Sequence, residues 1–239
     1  MAPWSLVSPA SRGIGFALAR RVLQTTKAPL VATARKDLES TRERLLEGLD
    51  VDEKRLTMLE LDVLAFVIPG ILYPEKSPAQ INADDTLLTF RTNTLGPMLM
   101  IKHFAPFLAK KRSETPDPTD LQGLPNISTM AIMSARVGSI SDNRLGGWYS
   151  YRASKAAVNQ LVKTFDNHLR MESGEKAMSI ALHPGTVKTE FSKEFWGGVK
   201  KEKLFEKEWV AERLVDVVRT EGVEGRGRCW DWEGKEVPP

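Results

Sequence analysis

The sequence predicts an α/β fold: one doubly wound, mostly parallel sheet in a single domain over residues 1–239. Three observations predict it. Strand-like apolar runs alternate with helix-periodic segments along the chain. A glycine-rich turn, Ser11-Arg12-Gly13-Ile14-Gly15, joins the first strand-like run to the first helical pattern. Tyr151 and Lys155 stand four apart where another helical pattern opens, after a strand-like run ending at Ser134.

Taken in order, Trp4 to Val7 reads as a short buried strand and Gly13 to Gln24 as a helix, with Ile14, Leu18 and Val22 four apart. Leu30 to Ala34 is the second strand. Asp37 to Leu49 is the second helix, with Asp37 suited to cap it. Leu56 to Asp62 is the third strand. Asp84 or Asp85 opens a long helix reaching about Lys110, with Leu87, Leu95, Met98, Leu99 and Leu108 available for the core. Ser113 to Pro125 is a polar loop. Ile127 to Met133 and Ala177 to Leu182 are strands flanking a helix from Tyr151 to about Met171. Trp209 to Arg219 is helical, and Arg228 to Asp231 is the last strand. This alternation is Rossmann-like, with no internal repeat and no linker.

The composition excludes several classes. Hydrophobic residues make up 41% and charged residues 27%, an ordinary balance for a globular chain. A net charge of +3, without a dense basic patch, argues against nucleic acid. The single cysteine, Cys229, forms no internal disulfide or metal cluster. The opening residues do not read as a signal peptide, and no run is apolar enough to span a membrane. A cytoplasmic protein is expected.

The chemistry sits in two places. Tyr151 and Lys155 share one helix face, so a lysine charge could favour the phenolate of a group whose free pKa is about 10. At the glycine turn, a helix N-terminus offers free N–H groups and a positive dipole end to a pyrophosphate. Ser8, Ser11, Arg12, Gly13, Ile14 and Gly15 are the candidate contacts. Arg35 follows the second strand, where an acid would bind the ribose of NAD; with Arg12 it suits the 2′-phosphate of NADP, while Asp37 keeps NAD open. Asp62 could bond the adenine amino group or cap a turn. The three histidines, His103, His168 and His183, suggest no chemistry.

These motifs resemble the short-chain dehydrogenases/reductases over nearly the whole chain, and within them the sniffer-like carbonyl reductases. Besides the two motifs above, the resemblance is carried by Asn93-Thr-Leu-Gly-Pro97, Gly138-Ser-Ile-Ser-Asp-Asn143, His183-Pro-Gly-Thr-Val-Lys-Thr189 and Trp230-Asp-Trp-Glu-Gly-Lys235. It implies hydride transfer between a nicotinamide and a ketone, aldehyde or alcohol. Tyr151 would be the proton donor. Lys155 would tune it and hold the nicotinamide ribose, and Asn93 would fix a relay water. Pro184, Gly185, Val187 and Thr189 would hold the nicotinamide, with Val63 and Gly70 also near the cofactor. The family's catalytic hydroxyl falls on Ser134, with Ser139 as the second choice. Residues 190–208 would form a substrate lid, whose Phe191, Phe195 and Trp196 suggest an apolar substrate face. A homodimer or homotetramer through the long helices is implied too.

Three departures stand against that pattern. Pro9 replaces the leading glycine of the phosphate turn and removes an N–H. Val67-Ile68-Pro69-Gly70 replaces the family's Asn-Asn-Ala-Gly. Asp62 and Gly70 are too close for the dozen or so residues that a parallel crossover needs, so one crossover helix after the third strand is expected to be missing. Either the chain does without it or a segment has been lost. The departures leave open a second expectation, a catalytically impaired dinucleotide-binding or partner-binding protein of the same fold.

Overall fold

The computed structural model describes residues 5–34, 37–60, 71–113 and 125–239. The first βαβ unit runs β1 (Ser5–Val7), α1 (Gly13–Thr25), β2 (Leu30–Ala34), α2 (Leu38–Leu46) and β3 (Leu56–Glu60). β2 lies between β1 and β3, and both pairings are parallel. The Arg55 guanidinium locks this unit by donating to the carbonyls of Leu23, Thr26 and Ala28.

The second half contains α3 (Ala83–Phe90), α4 (Gly96–Phe104), β4 (Ser128–Met133), α5 (Tyr149–Ser173) and β5 (Ala177–His183). There follow β6 (Thr186–Val187), β7 (Leu204–Phe205), α6 (Lys207–Thr220), β8 (Cys229–Asp231) and β9 (Glu236–Val237). Here β4, β5 and β8 run parallel, and β9 closes the edge antiparallel to β8. β5 is buried along nearly its whole length, as expected of a strand covered on both faces. The two halves meet where α1 packs on α6 and Ile14 enters the core of the second half.

The strands expected at Leu30, Ile127, Ala177 and Arg228 are present within a residue or two, as is the described part of the first. The span 61–70, with Asp62, Val63, Gly70 and the expected missing crossover, lies outside the described residues. So do Trp4, Arg35 and most of the 113–125 loop.

Three expectations need correction. Asp37 does precede α2, but with φ 54° it takes a left-handed conformation and its side chain caps nothing. The long helix is capped by Asn82, not by Asp84 or Asp85: the Asn82 side-chain oxygen accepts from the amides of both aspartates. A cap must stand one residue before the helix, so the two acids fall in its first turn, facing the positive dipole end. Finally, that helix is not continuous. A π-helical turn, Arg91–Leu95, joins α3 to α4. Thr89, Asn93, Gly96, Pro97 and Met100 turn inward, while Leu87, Leu95 and Met98 point to solvent.

Candidate active site

The first turn of α5 positions Tyr151, and the next turn positions Lys155. Tyr151 is buried, and the Lys155 ammonium lies 5.5 Å from the centre of its ring. Lys155 Nζ donates to the Met133 carbonyl at 3.2 Å, which anchors it to the C-terminal end of β4. Gly138 permits this approach: a Cβ there would stand 2.7 Å from the Lys155 backbone.

Burial dominates the protonation of both groups. It lowers the Lys155 pKa to about 7, against a weaker upward pull from nearby Cys229. It pushes the Tyr151 phenol up rather than down. The expected lowering of the phenol by Lys155 is therefore not seen, because desolvation penalises both charged forms. Burial also pushes the Cys229 thiol up to about 12.

Asn93 enters from the π turn. Its Nδ2 donates to the Ile71 carbonyl and to Ser154 Oγ, both at 3.1 Å, and Ser154 Oγ donates to the Tyr151 carbonyl at 2.8 Å. Asn93 Oδ1 is buried with no hydrogen-bond partner among the described residues, an arrangement that suits a bound water. The extra residue in the π turn swings Asn93 towards α5, a use seen at functional sites generally.

Neither serine candidate has a free hydroxyl. Ser134 Oγ donates to Asn159 Oδ1 at 2.6 Å, and its amide extends the β4–β5 ladder by bonding the Leu182 carbonyl. Ser139 Oγ donates to the Pro239 carbonyl at 3.3 Å and accepts from the Asp142 amide. Ala135 follows Ser134 and has no hydroxyl to offer.

The residues chosen for a dinucleotide are gathered from distant parts of the chain. Gly13 has φ +60°, and a Cβ there would approach Thr189 within 3.7 Å, so the first turn and the Pro184–Thr189 segment adjoin. The N-terminus of α1 carries no side-chain cap and no acid in its first turn. Uncapped helix donors of this kind fit a pyrophosphate. Arg12 is exposed at that end. Ser8 is instead buried, with its hydroxyl bonded to Thr33. Gly185 is hemmed in: its missing Cβ would meet Phe205 at 2.7 Å and Trp232 at 2.9 Å. The segment from Lys193 to Gly198 is a short 3-10 turn, and β7 then pairs with β6.

Sequence reasoning missed Trp148 and Glu75. The Trp148 ring stands edge-on to Tyr151 at 6.2 Å and 5.2 Å from Phe195, while Phe191 lies 6.3 Å from Tyr151. Trp148 and Phe191 thus flank the phenol, and Phe195 backs Trp148. The Gly146-Gly147 pair before Trp148 was the available signal for an unusual turn. The Glu75 carboxylate is buried and holds both the amide and the hydroxyl of Ser150. No group of His, Cys, Asp and Glu among the described residues could hold a metal.

No family model matches the chain. It is 28% identical over 174 residues to a 1-hydroxy-2-glutathionyl-2-methyl-3-butene dehydrogenase of Rhodococcus, covering 72% of this chain but only 63% of that relative's length. An uncharacterized oxidoreductase of Schizosaccharomyces pombe is 26% identical over 264 residues, with 97% of this chain and 96% of that one covered. In fold, the carbonyl reductase Sniffer of D. melanogaster superposes with a TM-score of 0.80 at 22% identity, over the full length of both chains. An NADPH-bound carbonyl reductase from chicken fatty liver gives 0.78 at 24%, covering 100% of this chain and 99% of that one. The C-signal protein of Myxococcus xanthus is 30% identical over 154 residues, 64% of this chain and 78% of that one. The chain belongs to the short-chain dehydrogenases/reductases. The S. pombe alignment is longer than this 239-residue member of the family, so it crosses gaps in the present chain.

Proposed function

We propose that the protein is an NADPH-dependent reductase of ketones or aldehydes, or the reverse alcohol dehydrogenase. The observation carrying this reading is Tyr151, buried under Trp148 and Phe191 with the Lys155 ammonium 5.5 Å from its ring. Bound NADPH would supply a hydride to the carbonyl carbon. Tyr151 would give its proton to the carbonyl oxygen. Lys155, near neutrality in pKa, exchanges protons readily at working pH and would refill the phenol. The open Asn93 Oδ1 would hold the water on that path. The uncapped end of α1 would hold the pyrophosphate, and Pro184, Gly185, Val187 and Thr189 the nicotinamide. Arg12 and Arg35 supply the charge for a 2′-phosphate, which favours NADP over NAD. The NADPH-bound chicken enzyme and the Rhodococcus dehydrogenase support this chemistry. The 190–208 segment, with Phe191 and Phe195 on Tyr151's side, serves as the lid.

We propose a homodimer or homotetramer as well. Leu87, Leu95 and Met98 are exposed on α3–α4, and a cavity of about 540 Å³ opens between α4 and α5, lined by Met98, Ile101, Leu161 and Phe165. No described helix is long and apolar enough to cross a membrane. We place the protein in the cytoplasm.

Tyr151→Phe tests the enzyme reading. Turnover of a carbonyl panel should fall at least 100-fold, while NADPH binding, followed by nicotinamide fluorescence, stays within about twofold. A variant keeping most of its turnover would refute it. The engagement of Ser134 with Asn159 favours the second reading, an impaired dinucleotide-binding protein. NADPH binding without wild-type turnover on any carbonyl compound would select that one.

A further inference from the structure

We infer that Trp148 determines which carbonyl compounds reach Tyr151, and that Glu75 is the positioning residue holding it there. The kinetic part of this rests on the reductase reading. Gly146, Gly147 and Trp148 adopt left-handed backbone conformations in succession, with φ of 64°, 66° and 52°. Glycine adopts this conformation freely, whereas a bulky aromatic residue does so only when its surroundings enforce it.

Those surroundings come from two residues. Arg152 reaches back from α5 and donates to the carbonyls of Gly146 at 3.2 Å, Gly147 at 3.0 Å and Val137 at 3.3 Å. Glu75 acts from the other side. Its backbone carbonyl accepts the Trp148 amide at 2.6 Å, while its buried carboxylate takes the Ser150 amide at 3.2 Å and the Ser150 hydroxyl. Ser150 Oγ also meets Thr86 Oγ1 at 2.9 Å, tying α3 into the clamp. The carboxylate faces the N-terminus of a 25-residue helix, where a negative charge is favoured.

The enforced turn sets the indole edge-on to the Tyr151 ring and beside Phe195, with Phe191 on the same phenol. A carbonyl carbon presented to Tyr151 must lay its substituents against these rings. Flat aromatic faces hold a flat aromatic substituent by offset or edge contact, and gain much less from a short alkyl group. Trp148 therefore favours aryl carbonyl compounds over small aliphatic ones.

The test compares acetophenone with 2-butanone. Trp148→Ala should lower the ratio of kcat/KM for acetophenone to that for 2-butanone about fivefold, and Trp148→Phe should restore most of the loss. Equal changes for both ketones would overturn the assignment. A second arm needs no turnover. In a Tyr151→Phe background loaded with NADPH, acetophenone binding measured by fluorescence should weaken to the same degree with Trp148→Ala. Unchanged binding, or no binding to the parent, would overturn the inference. Wild type without turnover would instead count against the reductase reading, and the binding arm would still decide. Glu75→Gln and Ser150→Ala should shift acetophenone affinity in the same direction as Trp148→Ala, and Glu75→Gln should speed amide hydrogen exchange at Ser150. Folded variants with wild-type exchange and affinity would remove Glu75 from the clamp.

Discussion

The two larger sheets, β1–β3 in the first half and β4, β5, β8 and β9 in the second, solve the same packing problem with different materials. In the first half the buried cluster has seven residues among those described: Ala10, Ala19 and Ala32 pack among Leu23, Leu30, Leu45 and Leu56. β1 has only three residues. The second half joins Ile132, Val158, Phe165, Leu169, Met178, Ile180 and Leu214 in one larger core. It also carries a buried ion pair, in which Arg226 Nε meets Asp166 at 2.9 Å and its other nitrogens donate to the Gly174 and Ala177 carbonyls. Tyr151 and Lys155 stand on the second half, whose rigidity holds two desolvated titratable groups in place. The first half has the smaller core, and at its glycine turn Gly13, with φ +60°, lets the backbone come close to a dinucleotide.

The largest effect should come from removing one member of the buried pair. Asp166→Ala leaves Arg226 buried without a counter-charge and also takes an acceptor from the Ser179 amide. The expected loss is about 3–5 kcal/mol. A urea titration showing less than about 1 kcal/mol would mean that the second half does not lean on this pair.

Gly185→Ala should come next. Its φ of +72° disfavours any side chain, and the added methyl would run into Phe205 and Trp232, themselves 4.9 Å apart between ring centres. A loss of about 1–3 kcal/mol is expected, with NADPH affinity falling as the 184–189 segment shifts. Stability lost with affinity intact would separate this glycine from the cofactor.

The same contrast governs what the sequence disclosed. The strands and α5 were legible because buried apolar runs and a strong period leave few alternatives. The face of α3–α4 was not: Leu87, Leu95 and Met98 look like core residues, yet the π turn re-phases the helix so that Thr89, Asn93 and Met100 face inward. Spacing alone does not show one extra residue in a turn. Ser134 was visible as a strand-end hydroxyl, but its bond to Asn159 depends on two residues that meet only in the fold. Glu75 and Ser150 are likewise far apart in sequence, and nothing local announces a buried carboxylate. The shortness of the Asp62–Gly70 span was legible by counting residues alone.

Lys155 offers a pH-dependent test of the second half. Its folded pKa is depressed to about 7 from 10.5, so between these values the unfolded chain binds the extra proton. Stability from this group must therefore rise with pH from about 7 to about 10.5, being lowest where the buried amine is charged. Lys155→Met should flatten that rise and raise the melting temperature near pH 7. An unaltered slope would mean that Lys155 keeps its charge cheaply, through the Met133 carbonyl and bound water.

The smallest effect should appear at the seam between the halves. Arg21 on α1 meets Glu212 on α6 at 2.9 Å, with both side chains about a third exposed. It is the ion pair at the place where the half with the smaller core leans on the larger one, and its position invites a large estimate. Its solvation argues otherwise. An exposed pair gains little because water already serves both charges, and double-mutant cycles on such pairs give about 0.2–1 kcal/mol. The Arg21→Ala, Glu212→Ala cycle should therefore return a coupling under about 1 kcal/mol, shrinking further at 1 M salt as the Debye length contracts to about 3 Å. Apolar packing of α1 on α6, with Ile14 set in the larger core, would then be what joins the halves. A coupling above about 2 kcal/mol that survives high salt would reverse that order and make the seam electrostatic.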